Sequence, residues 1–283
     1  MPTPSPTTMS RLLAKYVHTS SGRQRFAARA TGSLRRFRDY TAVGRKAFLV
    51  DTIQDGALPI YDKDPIISAF VIGNSGDAVS EVVGADRVNV PLFTLSSLIK
   101  IPLTEIRERR YNVIKRSVEL GTSNVKSQED VRVFASAAAL ALSSDNPNTD
   151  IAVSPPLTGA LIAEAFAKVE QYGLRVARMF VNPIEFSQLR TLPELDMIHQ
   201  HQVLKTGVVG NLFGAQVIRS RVVPQGTVIV CAEREFFGRF VVRQELSVIS
   251  ADNSDRLEVG FNLFENIGVL TYNALAQQRM ILS

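Results

Sequence analysis

The sequence predicts an α+β fold, and three observations carry that expectation. From Gly173 onward the chain reads as strands broken by turns, with one short helix among them. Between about residues 104 and 172 lie three helical segments with stop signals or an apolar period near 3.6. A long surface helix, a second helix suited to packing on a sheet, and this succession of strands together make an α+β arrangement.

At 283 residues the chain is long enough for one large domain or two smaller ones. Apolar residues make up 45% and charged residues 21%, as in an ordinary globular protein. The one cysteine, Cys231, sits in the apolar run Val228–Ala232, which excludes a disulfide framework within the chain and fits a buried thiol. No apolar run approaches the roughly 18 residues of a membrane span, so no membrane partner is expected. The Pro/Ser/Thr start from Met1 to Thr8 lacks a signal peptide's apolar core, and synthesis in the cytosol is expected.

Net charge is +5, and its distribution is uneven. Residues 1–50 hold ten Lys/Arg against one acid, Asp39, for +9, and the remainder carries 22 bases and 26 acids, for −4. A basic arm, residues 1–46, is therefore attached to a mildly acidic body. Such an arm binds nucleic acid, lies on anionic membrane, packs on acidic protein or stays solvated. Its candidate contacts, with DNA or between subunits, are Arg11, Lys15, Arg23, Arg25, Arg29, Arg35, Arg36 and Arg38, densest at Arg35 to Arg38. Phe26, Phe37 and Tyr40 lie among them and suit either base stacking or pinning of the arm to a neighbour. Contact with DNA would be phosphate-directed, sequence-independent and salt-sensitive.

The body starts at Ala47–Val50. From Asp51 to about Lys100 turns dominate, with short β-prone runs at Pro65–Ile72, Ser80–Val83, Val88–Val90 and Leu92–Leu95. A long hairpin or extended loop is expected, and a lone two-stranded projection needs a surface to lie on. A charged helix follows from about Thr104 to Leu120, with Gly121 as its stop. A second helix runs from Ser127 to Leu142, apolar around most of its circumference near the end and so expected to be buried on several sides. The polar loop 143–150 is the expected internal boundary. A third helix, about Leu157–Tyr172, has apolar residues at 157, 161, 162, 165, 166 and 169 and ends at Gly173.

The strand Arg175–Val181 runs into Asn182-Pro183-Ile184-Glu185. Asn182 suits the N-cap, Pro183 the first helical position, and Glu185 the third residue of a capping box. The short helix that follows is expected to bury Ile184, Phe186 and Leu189 and leave Glu185, Gln188 and Arg190 to solvent. Strands are then expected at Asn211–Val217, Arg221–Val230, Arg239–Arg243, Glu245–Ile249, Arg256–Phe264 and Gly268–Ala276.

Catalytic chemistry is sparse. No phosphate-binding glycine pattern occurs, and Gly73 to Gly76 is a turn. His199 and His201 have no third ligand nearby, and His18 stands alone in the arm, so no metal site is expected. No serine or cysteine sits in a recognisable nucleophile turn. The expected inventory is no catalytic residue, no cofactor and no metal.

The order of the strand-rich pieces resembles the major capsid proteins of tailed bacteriophages, the Hong Kong 97 fold. The matching pieces are Phe180-Val-Asn-Pro183 with Leu189, then Leu212-Phe-Gly214 with Val217, Ser220, Val223-Pro224 and Gly226, and a late strand Val269–Ala276. Each piece alone is common turn chemistry, and order and spacing make the likeness. It covers about residues 100–276 well and 45–100 loosely.

The resemblance implies a basic N-terminal arm over 1–46, an extension loop with flanking strands over 47–100, and a peripheral domain with its spine helix over 101–150. It implies an axial domain over 151–230 and return strands of the peripheral domain over 231–283. Tyr61, Lys63, Phe70 and Arg87 are then candidate extension-loop contacts, and Asn182 and Pro183 the axial-domain corner. Some relatives cross-link a Lys to an Asn between subunits; Lys63, Asn253 and Asn262 lie in comparable segments, but no local pattern matches and the reaction is not expected.

The implied function is a shell subunit that assembles into hexamers and pentamers of an icosahedral or prolate phage head in the host cytoplasm. Its implied partners are further copies of itself, packaged double-stranded DNA, and scaffold, portal and decoration proteins. An encapsulin-like compartment holding cargo enzymes keeps the fold and changes the contents. A soluble nucleic-acid-binding protein would make the arm the functional part.

Overall fold

The structure, a computed structural model, describes residues 39–62, 87–108, 113–144, 146–154, 156–190, 192, 210–253 and 255–282. The chain divides into two units. The larger comprises Ala42–Thr94, Gln128–Glu245 and Glu265–Ser283, and the smaller Met1–Thr41, Leu95–Ser127 and Leu246–Phe264.

In chain order the strands are β1 (Leu49–Thr52), β2 (Ile60–Asp62), β3 (Arg87–Asn89), β4 (Leu92–Pro102), β5 (Ile151–Val153), β6 (Val176–Val181), β7 (Asn211–Leu212), β8 (Ala215–Arg219), β9 (Thr227–Ala232), β10 (Gly238–Ser250), β11 (Glu258–Thr271) and β12 (Gln277–Leu282). The helices are α1 (Leu103–Glu108), α2 (Val113–Ala141), α3 (Gly159–Glu170), α4 (Pro183–Leu189) and the single turn α5 (Arg234–Phe237).

The larger unit is built on a six-stranded mixed sheet in the order β5-β12-β9-β6-β8-β7. Its central strands β6 and β9 are antiparallel, with Met179 opposite Val230 and Phe180 opposite Ile229. Both are apolar at nearly every position because both faces are covered. Helix α3 packs on β6, β9 and β12 through Ile162, Ala165, Phe166 and Val169, as its 3.6-residue spacing predicts. Thr158 caps it, its hydroxyl accepting from the Leu161 N–H, and Gly173 leaves it at φ +74°. Phe134 of α2 meets Phe180 edge-on at 5.4 Å.

The other main sheet has the order β1-β10-β11-β4. Its parallel pair β1/β10 sets Leu49 opposite Arg239 and Thr52 opposite Val242, and Phe48 packs against the rings of Phe237 and Phe240. Strands β2 and β3 are antiparallel, with Tyr61 opposite Val88, which is the base of the expected hairpin. The runs Pro65–Ile72 and Ser80–Val83 lie outside the described residues.

In the smaller unit the β10/β11 hairpin ends in a turn stitched by the Asn253/Glu258 bridge and by Asp252, which accepts from the Gly260 N–H. Leu257 sits there at φ +51°, and its carbonyl accepts from the Leu103 N–H that opens α1.

Several expectations are corrected. The charged helix does not stop at Gly121: α2 runs unbroken for 29 residues from Val113 to Ala141. Gly121 is a close-approach residue, since a Cβ there would lie 2.7 Å from Ile99 Cδ1 and 3.1 Å from Leu263 Cδ1. Toward its C-terminus α2 is buried on one face only, with Val133, Phe134 and Ala137 inward and Val131, Ala135 and Ala139 exposed. Asn211–Val217 is two strands folded back on each other, because Phe213 and Gly214 take φ +49° and +85° at a two-residue hairpin turn.

Arg221–Val230 is strand only from Thr227, after the Pro224–Gly226 turn. The separate runs 239–243 and 245–249 are one strand, as are 256–264 and the start of 268–276. Gly268 breaks nothing, because it lets Val90 and Leu92 approach, each 2.9 Å from where its Cβ would be. After Thr271 the chain turns through a 3₁₀ segment, Ala274–Ala276, and β12 joins the six-stranded sheet between β5 and β9.

Candidate assembly surfaces

The arm residues Arg11, Lys15, Arg23, Arg25, Arg29, Arg35, Arg36 and Arg38 lie outside the described residues, as do Lys63, Phe70, His18, His199 and His201. What the structure gives of the arm is its root, residues 39–46. In the smaller unit Asp39 pairs with Arg116 at 2.8 Å and the Tyr40 N–H donates to Ser123 Oγ.

In the larger unit the root is clamped. Asp130 of α2 is buried and accepts from both the Val43 and Gly44 N–H groups, at 2.9 and 2.8 Å. Arg45 donates to both oxygens of Glu129 at 2.6 and 3.0 Å and to Glu245 of β10 at 2.8 Å, and lies 3.6 Å from Glu265 of β11. Its guanidinium also lies over the Phe240 ring at 4.8 Å. Glu129 and Glu265 are fully buried. Burial alone would lower the Arg45 guanidinium, but its bonds to Glu129 and Glu245 outweigh that and hold it above its ordinary value. A buried carboxylate is tolerated only when paired and hydrogen-bonded, and Arg45 meets that condition for Glu129.

Sequence reasoning counted Arg45 among the arm's cations and missed the clamp. A signal existed in the adjacent acids Glu129 and Asp130, set between Val125 and Val133 on the buried stretch of a helix.

At the base of the β2/β3 hairpin, Tyr61 is half-buried and Arg87 exposed. Arg239 pairs with Asp51 at 3.2 Å and stacks over the Tyr61 ring at 5.6 Å. Burial, then the neighbouring Asp51, push the Tyr61 hydroxyl up to about 12. Arg87 pairs with Asp62 at 3.0 Å, with both side chains largely in solvent.

At the corner, Asn182 Oδ1 accepts from the Ile184 N–H as expected of an N-cap, and its amide also donates to the Val223 carbonyl. The capping box does not form, and Glu185 does not face solvent. It is buried and accepts from the Gly226 N–H at 2.8 Å, tying the corner to the Pro224–Gly226 turn. Gln188 accepts from the Leu157 N–H, while Ile184, expected inside, is 51% exposed. The tertiary bond to Gly226 outcompetes the local one.

Cys231 is buried, and that burial pushes its thiol up to about 12, so the thiolate is scarce at neutral pH. Among the described residues no group of three or more His, Cys, Asp or Glu is placed to hold a metal ion, and no helix is long and apolar enough to cross a membrane.

No protein-family model matches the chain, and no curated protein does. Solved structures match it over nearly its whole length. The capsid protein of cyanophage P-SCSP1u aligns with a TM-score of 0.69 at 12% identity, covering 90% of this chain and 91% of that one. A chain from Mycobacterium phage Che8 aligns at 0.67 and 13% identity, covering 88% and 94%. The encapsulin of Synechococcus elongatus aligns at 0.58 and 11% identity, covering 90% and 93%. At such identities the likeness shows the fold: the chain has the Hong Kong 97-type shell fold, α+β as its sequence predicts.

Proposed function

We propose that this chain is the major capsid protein of a tailed-phage head, a structural protein without catalytic activity. Copies form hexamers and pentamers of an icosahedral or prolate shell around double-stranded DNA, and the protein resides in the virion. The observation that carries the reading is the whole-chain likeness to a phage capsid subunit, with about nine-tenths of each chain aligned. A partial likeness would fit a shared module; this one covers 90% of the chain.

On this reading residues 151–230, with the Asn182/Pro183 corner, form the axial domain, and α2 is the spine helix of the peripheral domain. The β2/β3 hairpin is the base of the extension loop, and Tyr61, Lys63, Phe70 and Arg87 meet a neighbouring subunit. Subunits tile through heterologous contacts that close around rotation axes. The arm carries Arg11, Lys15, Arg23, Arg25, Arg29, Arg35, Arg36 and Arg38 to DNA phosphates or to neighbouring copies. Scaffold, portal and decoration proteins are further partners of such a shell.

The second reading, an encapsulin-like compartment, is favoured by the encapsulin alignment and opposed by the higher score of the phage capsid subunit. The ultraviolet absorbance ratio of sedimented particles from infected or expressing cells tests between them. Particles rich in nucleic acid are expected; protein-only particles that co-purify with an enzyme would overturn the phage reading in favour of the compartment.

A further inference from the structure

We propose that Arg178 of β6, together with Arg234, is a receptor for a carboxylate side chain of a second copy of this chain, and that the contact forms as copies assemble. The inference rests on the shell reading and adds to it a specific contact. Strand register sets Arg178 opposite Gln216 of β8 and Cys231 of β9, so the three side chains share one face of the six-stranded sheet. Two residues further along β6, Phe180 lies on that face too and is covered by Phe134 of α2. The cover ends before Arg178, which is only half-buried, with Gln216 exposed opposite it. Yet the Arg178 Nε and Nη1 atoms are buried and have no acceptor among the described residues.

A buried N–H without an acceptor is rare in folded proteins, because its lost hydration is a cost that no bond returns. Burial, then the like charge of Arg234, lower the Arg178 guanidinium from its ordinary value, and Cys231 and Glu233 act the other way without reversing that. A carboxylate answers both deficits: it accepts two parallel N–H bonds from the planar fork, and it neutralises the repulsion. Arg234 is exposed, and its Nε donates to the Lys46 carbonyl at 3.0 Å, which orients its guanidinium. The surroundings favour protein over nucleic acid as the source. Glu233 and Glu235 flank Arg234, so with Arg178 the four side chains sum to no net charge and attract a polyanion little. Phe236, in the same helical turn as Arg234, is 43% exposed. Tyr272, whose hydroxyl donates to the Glu235 carbonyl, is 40% exposed. Arginine beside exposed aromatic rings is the composition of protein interface centres. Residues 51–283 hold 26 acids against 22 bases, so other copies have carboxylates to supply.

The test uses the full chain. Arg178→Gln and the parent are compared by thermal melting of the unassembled subunit, and by the lowest protein concentration at which light scattering and electron microscopy show closed shells. Melting is expected to stay at or above the parent's, because the variant removes a half-buried charge that the subunit's own fold does not pair. The threshold concentration should rise at least about tenfold, the effect of losing about 1.4 kcal/mol of contact per subunit. Shells of Arg178→Lys are then assembled from isotope-labelled and unlabelled copies and treated with a carbodiimide. Mass spectrometry is expected to find the introduced amine joined to an Asp or Glu of a differently labelled copy. An unchanged threshold, a clear loss of stability in unassembled Arg178→Gln, or the absence of any cross-link between copies would each overturn the inference and leave the shell reading intact. An unchanged threshold with less nucleic acid in the shells would assign the site to phosphate instead. Failure of the parent itself to form shells would strike at the shell reading and remove the inference with it.

Discussion

Arg45 and Glu185 show how a charged residue changes meaning once its partners are known. In the sequence Arg45 is one of ten cations in a basic stretch and Glu185 is the third residue of a capping box. In the fold each is bonded to residues far along the chain, Arg45 to Glu129 and Glu245, Glu185 to Gly226. No local rule announces such bonds, because propensity and capping act within a turn or two of chain, and these partners are 41 to 200 residues away. Removing the Arg45 guanidinium is expected to cost about 1–3 kcal/mol of stability, the usual effect of losing hydrogen bonds to charged groups; denaturant unfolding of Arg45→Ala checks it. Glu185→Ala is expected to cost about 1–3 kcal/mol by leaving the Gly226 N–H without its acceptor. Glu185→Gln, which keeps an acceptor, should recover most of that in the same assay.

Two residues report on pH and chemistry. The Tyr61 hydroxyl is raised from its ordinary value near 10 to about 12, so the folded state holds its proton more tightly than the unfolded one. Its contribution is fully present below about pH 10 and is lost as pH rises through about 12. Tyr61→Phe should therefore flatten the alkaline end of the stability profile, and an unchanged profile would contradict the assignment. Cys231, buried in β9 with its thiol raised by that burial, should resist thiol-labelling reagents in the native subunit and react on unfolding.

At the scale of elements, what was legible is what local chemistry decides. The 3.6-residue spacing of α3, the Asn182 cap and the alternation of strands after Gly173 all reappear in the structure. Glycine is misread at Gly121, because a glycine that ends an element and one that admits a neighbour look alike in sequence; Gly268, expected to open a strand, is likewise a close-approach position. Both lie inside long elements with side chains 2.7 to 3.1 Å from an added Cβ. Substituting Gly268 by Val is accordingly expected to destabilise the subunit by about 1–3 kcal/mol through overpacking against Val90 and Leu92. A true helix stop at Gly121 would tolerate Asn, whereas a close-approach position should not. Circular dichroism and melting of Gly121→Asn distinguish the two, and a large loss of stability is expected. The division of β7 from β8 was also hidden, since Phe213 is an unusual residue for a left-handed turn position.

At the scale of the whole molecule, the order of the pieces was more informative than any one of them. Phe180 to Pro183, Leu212 to Gly214 and Val223 to Gly226 are ordinary turns and strand ends, yet in the fold they sit at the end of β6, at the β7/β8 hairpin and at the turn into β9, all in one sheet, with Glu185 tying the first corner to the last turn. The topology that joins them was not legible. That β12 lies between β5 and β9, and that β1 runs parallel to β10, are long-range pairings fixed by which apolar faces meet, and sequence spacing does not encode them. The candidate surfaces followed the same pattern: composition located the arm, whereas the clamp that holds its root needed the packing of α2 against the sheet strands.

The proposed role requires that this chain build closed shells. Electron microscopy of the purified full-length chain at moderate salt tests it most directly. Closed particles, or the hexameric and pentameric rings from which they are made, are the expected result. A uniform field of monomers or dimers that stays so across protein concentrations, and when co-expressed with the genes of its own virion, would contradict it.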